Sequence, residues 1–102
     1  MNLSDDERVV CHTPTPGKKP TSIHMWKYDL LRGIILDILA GSADGVEFRA
    51  LPNLIDARLS AEQKANIGST SWYTTTVKLD LEVKRDIERI PRVSPQRLRL
   101  VE

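Results

Sequence analysis

The chain has one cysteine, Cys11, two histidines and five glycines, and no apolar run approaches the ~20 residues that cross a bilayer. A lone cysteine closes no internal disulfide, so the fold is not a disulfide scaffold. No glycine motif of the phosphate-cradling kind is present. Charge of one sign is also lacking: 15 Lys and Arg against 14 Asp and Glu leave a formal charge of +1. No bulk field therefore draws the chain to nucleic acid or membrane, and only local patterning can do so. Cys11, His12 and His24 are the soft ligands and nucleophile candidates, fewer than the about four a zinc site uses and poorly matched to a positioned triad. The expectation is no metal, no cofactor and no enzymatic activity. The stretch Met1-Asn2-Leu3-Ser4-Asp5-Asp6-Glu7 is acidic where a secretory signal is basic and then apolar, so the expected compartment is the cytoplasm.

What is present is 102 residues, 40% hydrophobic and 28% charged, the length and composition of one ordinary globular domain. Residues 1–21 read as an extended arm, because Thr13-Pro14-Thr15-Pro16-Gly17-Lys18-Lys19-Pro20 holds three prolines and a glycine and forbids a helix. Val9–Cys11 can add an edge strand to a sheet. Lys18-Lys19 can meet phosphate or form a solvated linker. The domain proper is expected over 22–102.

A helix is expected from Ser22, as N-cap, to about Ala40, with Gly41 as stop signal. Tyr28, Leu31, Ile34, Ile35, Ile38 and Leu39 fall on one face, the core face. Trp26, Leu30 and Gly33 fall on a second stripe that needs its own cover, either the N-terminal arm or a second copy of the chain packed where Gly33 permits close approach. Val46-Glu47-Phe48 alternates as a short strand. A helix over 50–59 tolerates Pro52 in its first turn, and Ser60-Ala61-Glu62-Gln63 matches a capping box that starts a helical turn ending before Gly68.

The segment from Trp72 to about Lys84 carries the helical period. With Trp72 at 0°, Thr76, Leu79 and Val83 lie within about 40° of it, and Tyr73, Val77 and Leu81 extend the apolar arc to about 180°. Ser71, Thr74, Thr75, Lys78, Glu82 and Arg85 fill the other arc, which is expected to face solvent. Asp80 falls inside the apolar arc, so it is expected to be buried and paired, with Arg32 or Lys27 of the first helix or with a backbone N–H at the start of the C-terminal hairpin. A hairpin closes the chain, with strands near Ile87–Ile90 and at Gln96–Val101. From Lys84 to Val101 six basic residues face two acidic ones, a local +4.

Helix, short strand, helix, helix, hairpin is the order of a winged helix-turn-helix domain. The run from Trp72-Tyr73-Thr74-Thr75-Thr76 through Arg85-Asp86-Ile87-Glu88-Arg89 resembles the third helix and first wing strand of such domains, including the N-terminal domain of Mrr-type restriction endonucleases. With Trp26-Lys27-Tyr28-Asp29 and the Cys11, Pro14, Pro16-Gly17 arm, it also resembles a family of small bacterial proteins of unknown function built on this fold. Where many winged helices have a glycine after the third helix, this chain has Lys84-Arg85-Asp86. The resemblance implies an α+β winged helix-turn-helix with three main helices, a short extra helical turn, and a two-stranded C-terminal wing with a short third strand. It also implies double-stranded DNA as partner, with Ser71, Thr74, Thr75 and Lys78 of the helix in the major groove and Arg92, Arg97 and Arg99 of the wing on the backbone. Against this stands a protein-interaction or dimerisation module on the same fold. In that reading the threonines are merely solvated and Arg97 and Arg99 alternate with core-facing Leu98 and Leu100.

Overall fold

Residues 7–102 are described by the computed structural model. The proline-rich stretch reverses the chain, and Arg8–Cys11 (β1) pairs antiparallel with Thr21–His24 (β2), Val9 opposite Ile23. Arg8 ties the two strands, donating from Nε to Ser22 Oγ at 2.9 Å and from its guanidinium to the Ser22 carbonyl at 2.8 Å. Ser22 is therefore a strand residue and not a helix cap. β-branched Thr21 and Ile23 suit a strand, and the first helix starts later, at Met25. Within the expected arm, β1 joins the main core through Cys11, which is buried there, while most of the loop over 12–20 is exposed.

Helix α1 covers Met25–Ala40 and buries Tyr28, Leu31, Ile35, Ile38 and Leu39, with Ile34 half-buried. Gly45 makes the turn that follows. Its φ is +83°, and a Cβ there would lie 2.6 Å from Ile90 Cδ1 and 2.8 Å from the Leu98 carbonyl, so only glycine fits. Strand β3 (Val46–Glu47) leads through a 3₁₀ turn at Phe48–Ala50 into α2, Leu51–Asp56, with Pro52 in its first turn. This helix is shorter than the expected 50–59, and Leu59 reaches the core from the turn beyond it. Helix α3 (Ala61–Ile67) starts on the capping box: Ser60 Oγ accepts from the Gln63 N–H at 3.0 Å, and Gln63 Oε1 accepts from the Ser60 N–H at 2.8 Å.

Helix α4 (Thr70–Val83) is capped by Ser69, whose hydroxyl accepts from the Trp72 N–H at 3.2 Å. It ends in a Schellman arrangement: the Asp86 N–H reaches the Leu81 carbonyl at 3.0 Å and the Arg85 N–H the Glu82 carbonyl at 3.2 Å. Arg85 takes φ 65° there, the left-handed position that glycine fills in many helix ends. The helix-to-strand turn is thus as tight as a glycine would make it, at a cost of ~1–2 kcal/mol. Ile87–Arg89 (β4) and Arg97–Leu100 (β5) form the hairpin, and β3 joins the free edge of β5, giving the antiparallel order β3-β5-β4. Among the described residues the result is an α+β domain of four α-helices and two antiparallel sheets, with α1 and α4 crossing over a shared core.

Candidate functional site

Helix α4 is wedged between the two sheets, and its two flanks are built differently. On the side of the β1–β2 sheet lies Asp80, wholly buried. Its carboxylate accepts from the Tyr28 hydroxyl at 2.6 Å and the His12 N–H at 2.9 Å, and pairs with Lys84 Nζ at 2.7 Å. Lys84 also donates to Tyr28 Oη at 2.9 Å and sits over the Tyr28 ring. Asp80 is thus buried and paired as expected, but its cation is Lys84, one turn along, and its backbone donor is His12 and not the start of the C-terminal hairpin; Arg32 pairs with Asp86 and Lys27 donates to Tyr73. Desolvation pushes the Asp80 carboxyl up, and the bonds from Lys84, Tyr28 and His12 together outweigh it, so its pKa falls. The same contacts hold the Lys84 ammonium above its ordinary range.

On the side of the β3-β5-β4 sheet, Lys78 is 2% exposed and pairs with Glu82 at 2.8 Å, its ammonium 4.5 Å from the Phe48 ring centroid. Glu82 also receives Arg89 at 2.6 Å. Burial depresses the Lys78 pKa, against the opposing pull of Glu82.

These flanks correct the expected solvent face of the helix. Thr74 is 0% exposed and Lys78 2%, so neither can reach a base edge or a phosphate. The Thr74 hydroxyl has no partner among the described residues. The buried arc runs from Asp80 through Leu81 to Lys78, rotated by roughly 80° from the purely apolar arc. The reason is that a lysine stem packs like an aliphatic side chain when its ammonium has a carboxylate, here Glu82. The solvent face accordingly carries Trp72, 48% exposed, and Val83, 42% exposed, with Ser71 and Thr75 exposed and Thr76 and Leu79 half-buried. The Thr75 and Thr76 hydroxyls donate to the Ser71 and Trp72 carbonyls, both at 3.0 Å.

The hairpin cations are mostly answered from within. Arg99 meets Glu88 at 2.6 Å, Arg97 lies 3.6 Å from Glu47 and donates to the Gly45 carbonyl at 3.1 Å, and Arg89 serves Glu82. Arg92 stands exposed at the loop tip, with φ 63° and no ion pair among the described residues. No band of free cations therefore joins Lys78 to Arg92. Lys18 and Lys19 take its place beside α4: with Trp72, Thr75 and Leu79 they line a groove of about 220 Å³ under the β1–β2 loop. The approach of the loop to the helix is a tertiary fact for which the linear order of residues carries no signal.

On α1, Trp26 and Leu30 are half-buried against the core, and Gly33 is exposed with nothing within 4 Å of a would-be Cβ. Trp26 also borders a wide concavity of about 710 Å³ with Lys27, Ser60, Glu62 and Gln63. Among the described residues no group of three or more His, Cys, Asp or Glu is placed to hold a metal ion. Burial, then nearby Asp80, pushes the Cys11 thiol up to about 11, so at neutral pH it is protonated and a poor nucleophile. No helix among the described residues is long and apolar enough to cross a membrane.

The fold and this surface define a small α+β domain whose distinguishing feature is a helix held between two sheets with one face bare. The chain belongs to DUF6958, a family of unknown function whose model matches residues 8–98. Searches of curated proteins and of solved structures returned no match.

Proposed function

We propose that this is a winged helix-turn-helix domain acting as a non-enzymatic protein-interaction module, with the bare face of α4 as its contact surface. The strand order β3-β5-β4, with α1 before β3 and the other three α-helices between β3 and β4, supports the winged-helix reading. The observation that carries the protein-binding reading is the half-exposed Trp72 in line with Leu79 and Val83. Exposed aromatic and aliphatic side chains in a row are typical of protein interfaces, whereas a DNA-reading face presents polar groups and free cations. The burial of Lys78 and the pairing of Arg97 and Arg99 count the same way.

The test replaces Thr75 with a photo-cross-linking residue in living cells. Protein adducts that disappear with Trp72→Ala are expected, and their absence sinks the reading. An adduct at twice the chain's mass would make the partner a second copy. Duplex DNA is the second reading, favoured by Lys18, Lys19 and Arg92, which have no acidic partner among the described residues. In that case random-sequence duplex binds with Kd of ~10⁻⁴–10⁻⁶ M, and neutralising Lys18 and Lys19 lowers the log–log salt slope by about 2.

A further inference from the structure

We propose that the groove between the β1–β2 loop and α4 receives an acidic peptide segment carrying one bulky apolar side chain, an inference that rests on the protein-binding reading of α4. At about 220 Å³ the groove is smaller than the ~300–1,000 Å³ of small-molecule pockets. It suits a side chain or two of a longer ligand that lies across it. Its apolar surface comes from Trp72 and Leu79, and Lys18 and Lys19 of the loop supply its charge.

The charge is one-sided. No carboxylate lines the groove: Asp80, behind Cys11, is wholly buried and held by Lys84, while Glu82 is occupied by Lys78 and Arg89 on the other flank of the helix. A ligand entering here meets two ammonium groups and an indole face with no acid to repel its own. The complementary segment places an apolar residue against Trp72 and Leu79 and its carboxylates toward Lys18 and Lys19. Buried aromatic anchors supply most of the affinity in such contacts, and rim charges supply discrimination and association rate.

The experiment uses three labelled peptides of about 12 residues, the size of typical peptide-recognition segments. The first alternates Glu and Asp with Leu and Phe, the second replaces the acids by Gln and Asn, and the third keeps the acids and replaces the apolar residues by Ser. Binding is read by fluorescence polarisation and by the NMR shift of the Trp72 indole N–H. The acidic apolar peptide is expected to move the Trp72 signal, and the neutral one to bind at least about fivefold more weakly at low salt. The serine peptide should leave Trp72 unmoved. Lys18→Glu with Lys19→Glu, both at exposed positions, should weaken the acidic peptide by about tenfold, a difference that shrinks as salt is raised.

Equal binding of the neutral peptide overturns the proposal, as does no shift of Trp72 at about 1 mM peptide. So does random-sequence duplex that moves the same signal at lower concentration than the peptide. If every peptide fails while the Thr75 cross-links persist, the acidic partner is wrong and the protein-binding reading stands. If the cross-links are absent as well, both fall.

Discussion

Helix α4 and its C-cap hold two lysine–carboxylate pairs at the same spacing, Lys78–Glu82 and Asp80–Lys84, and they are inverted copies of each other. In the first the cation is the buried member, 2% exposed against 9% for the acid; in the second the acid is at 0% and the lysine at 44%. Burial therefore depresses the Lys78 pKa, while Lys84, bound to Asp80 and Tyr28 at the surface, is raised. The buried member of each pair decides which substitution is costly, because the partner left behind is either stranded in a low dielectric or released to water.

The largest expected effect is accordingly on the flank that faces the β3-β5-β4 sheet. Glu82→Ala strands the Lys78 ammonium among Phe48 and the helix, and should cost about 3–5 kcal/mol in urea denaturation. Arg89, 49% exposed on its side chain, is simply released to solvent. A loss below about 1 kcal/mol would mean that Lys78 escapes to water and is not held as described.

Next is Asp80→Ala. The cation it releases is Lys84, already half in water, so the loss comes mainly from the Tyr28 hydroxyl and the His12 N–H, which lose their acceptor. A buried group left unsatisfied costs about 1–3 kcal/mol, and since His12 is exposed and its N–H can turn to water, the buried Tyr28 hydroxyl sets the loss. The same urea titration checks it, and the comparison breaks if Asp80→Ala proves costlier than Glu82→Ala.

These two pairs also explain how much was legible in the sequence. Asp80 stood out because a lone carboxylate in an apolar arc must be paired. The Ser60/Gln63 box and the C-terminal hairpin were legible too, since each depends on residues close in the chain. Lys78 and Thr74 were not, because a wheel sorts residues by polarity, and a paired lysine behaves as a long aliphatic chain. Only the i,i+4 spacing of Lys78 and Glu82 hinted at it, and that spacing is equally common on solvated faces. Trp72 misled in the opposite sense: it lies in the first turn of α4, and its polar neighbour Thr74 takes the core position. The start at Ser22 failed because the pairing of β2 with β1 depends on a partner strand beyond the helix window.

A third test separates the pairs by pH. Lys84 has a raised folded pKa, so its contribution is complete below the unfolded value of ~10.4 and is lost as pH climbs through the folded one. Lys78 has a lowered one, so between its folded pKa and ~10.4 the unfolded chain binds more protons and stability rises with pH. Urea titrations from about pH 8 to 11 are best made in a Cys11→Ala background, since the thiol, pushed up to about 11, adds a loss of its own. Burial and Asp80 also raise the Tyr28 hydroxyl, which Lys84 touches, so the lysines are compared with Tyr28→Phe added to that background; there Lys84→Met should flatten the alkaline fall and Lys78→Met should steepen it, and the same change in slope from both would refute the inversion. On the acid side, Asp80 contributes above ~pH 4 and loses its contribution as pH drops through its lowered pKa, so Asp80→Asn should flatten that limb.

The smallest effect at neutral pH is expected from Lys78→Met. Methionine has nearly the length of the lysine stem and keeps the packing against Phe48, while the desolvation cost of a buried ammonium disappears. Glu82 keeps Arg89 at 2.6 Å, so no carboxylate is left unpaired. The change in stability should stay within about 1 kcal/mol and can be favourable, in contrast to the loss from removing the other half of the same pair. If Lys78→Met costs as much as Glu82→Ala, the pair stabilises by its own attraction and the identity of the buried member is irrelevant. If it is neutral, Lys78 is an aliphatic core residue with a charge at its tip. The surface available to any partner is then the Trp72 face, untouched by the substitution, and Thr75 cross-linking in the Lys78→Met variant should proceed as in the parent chain.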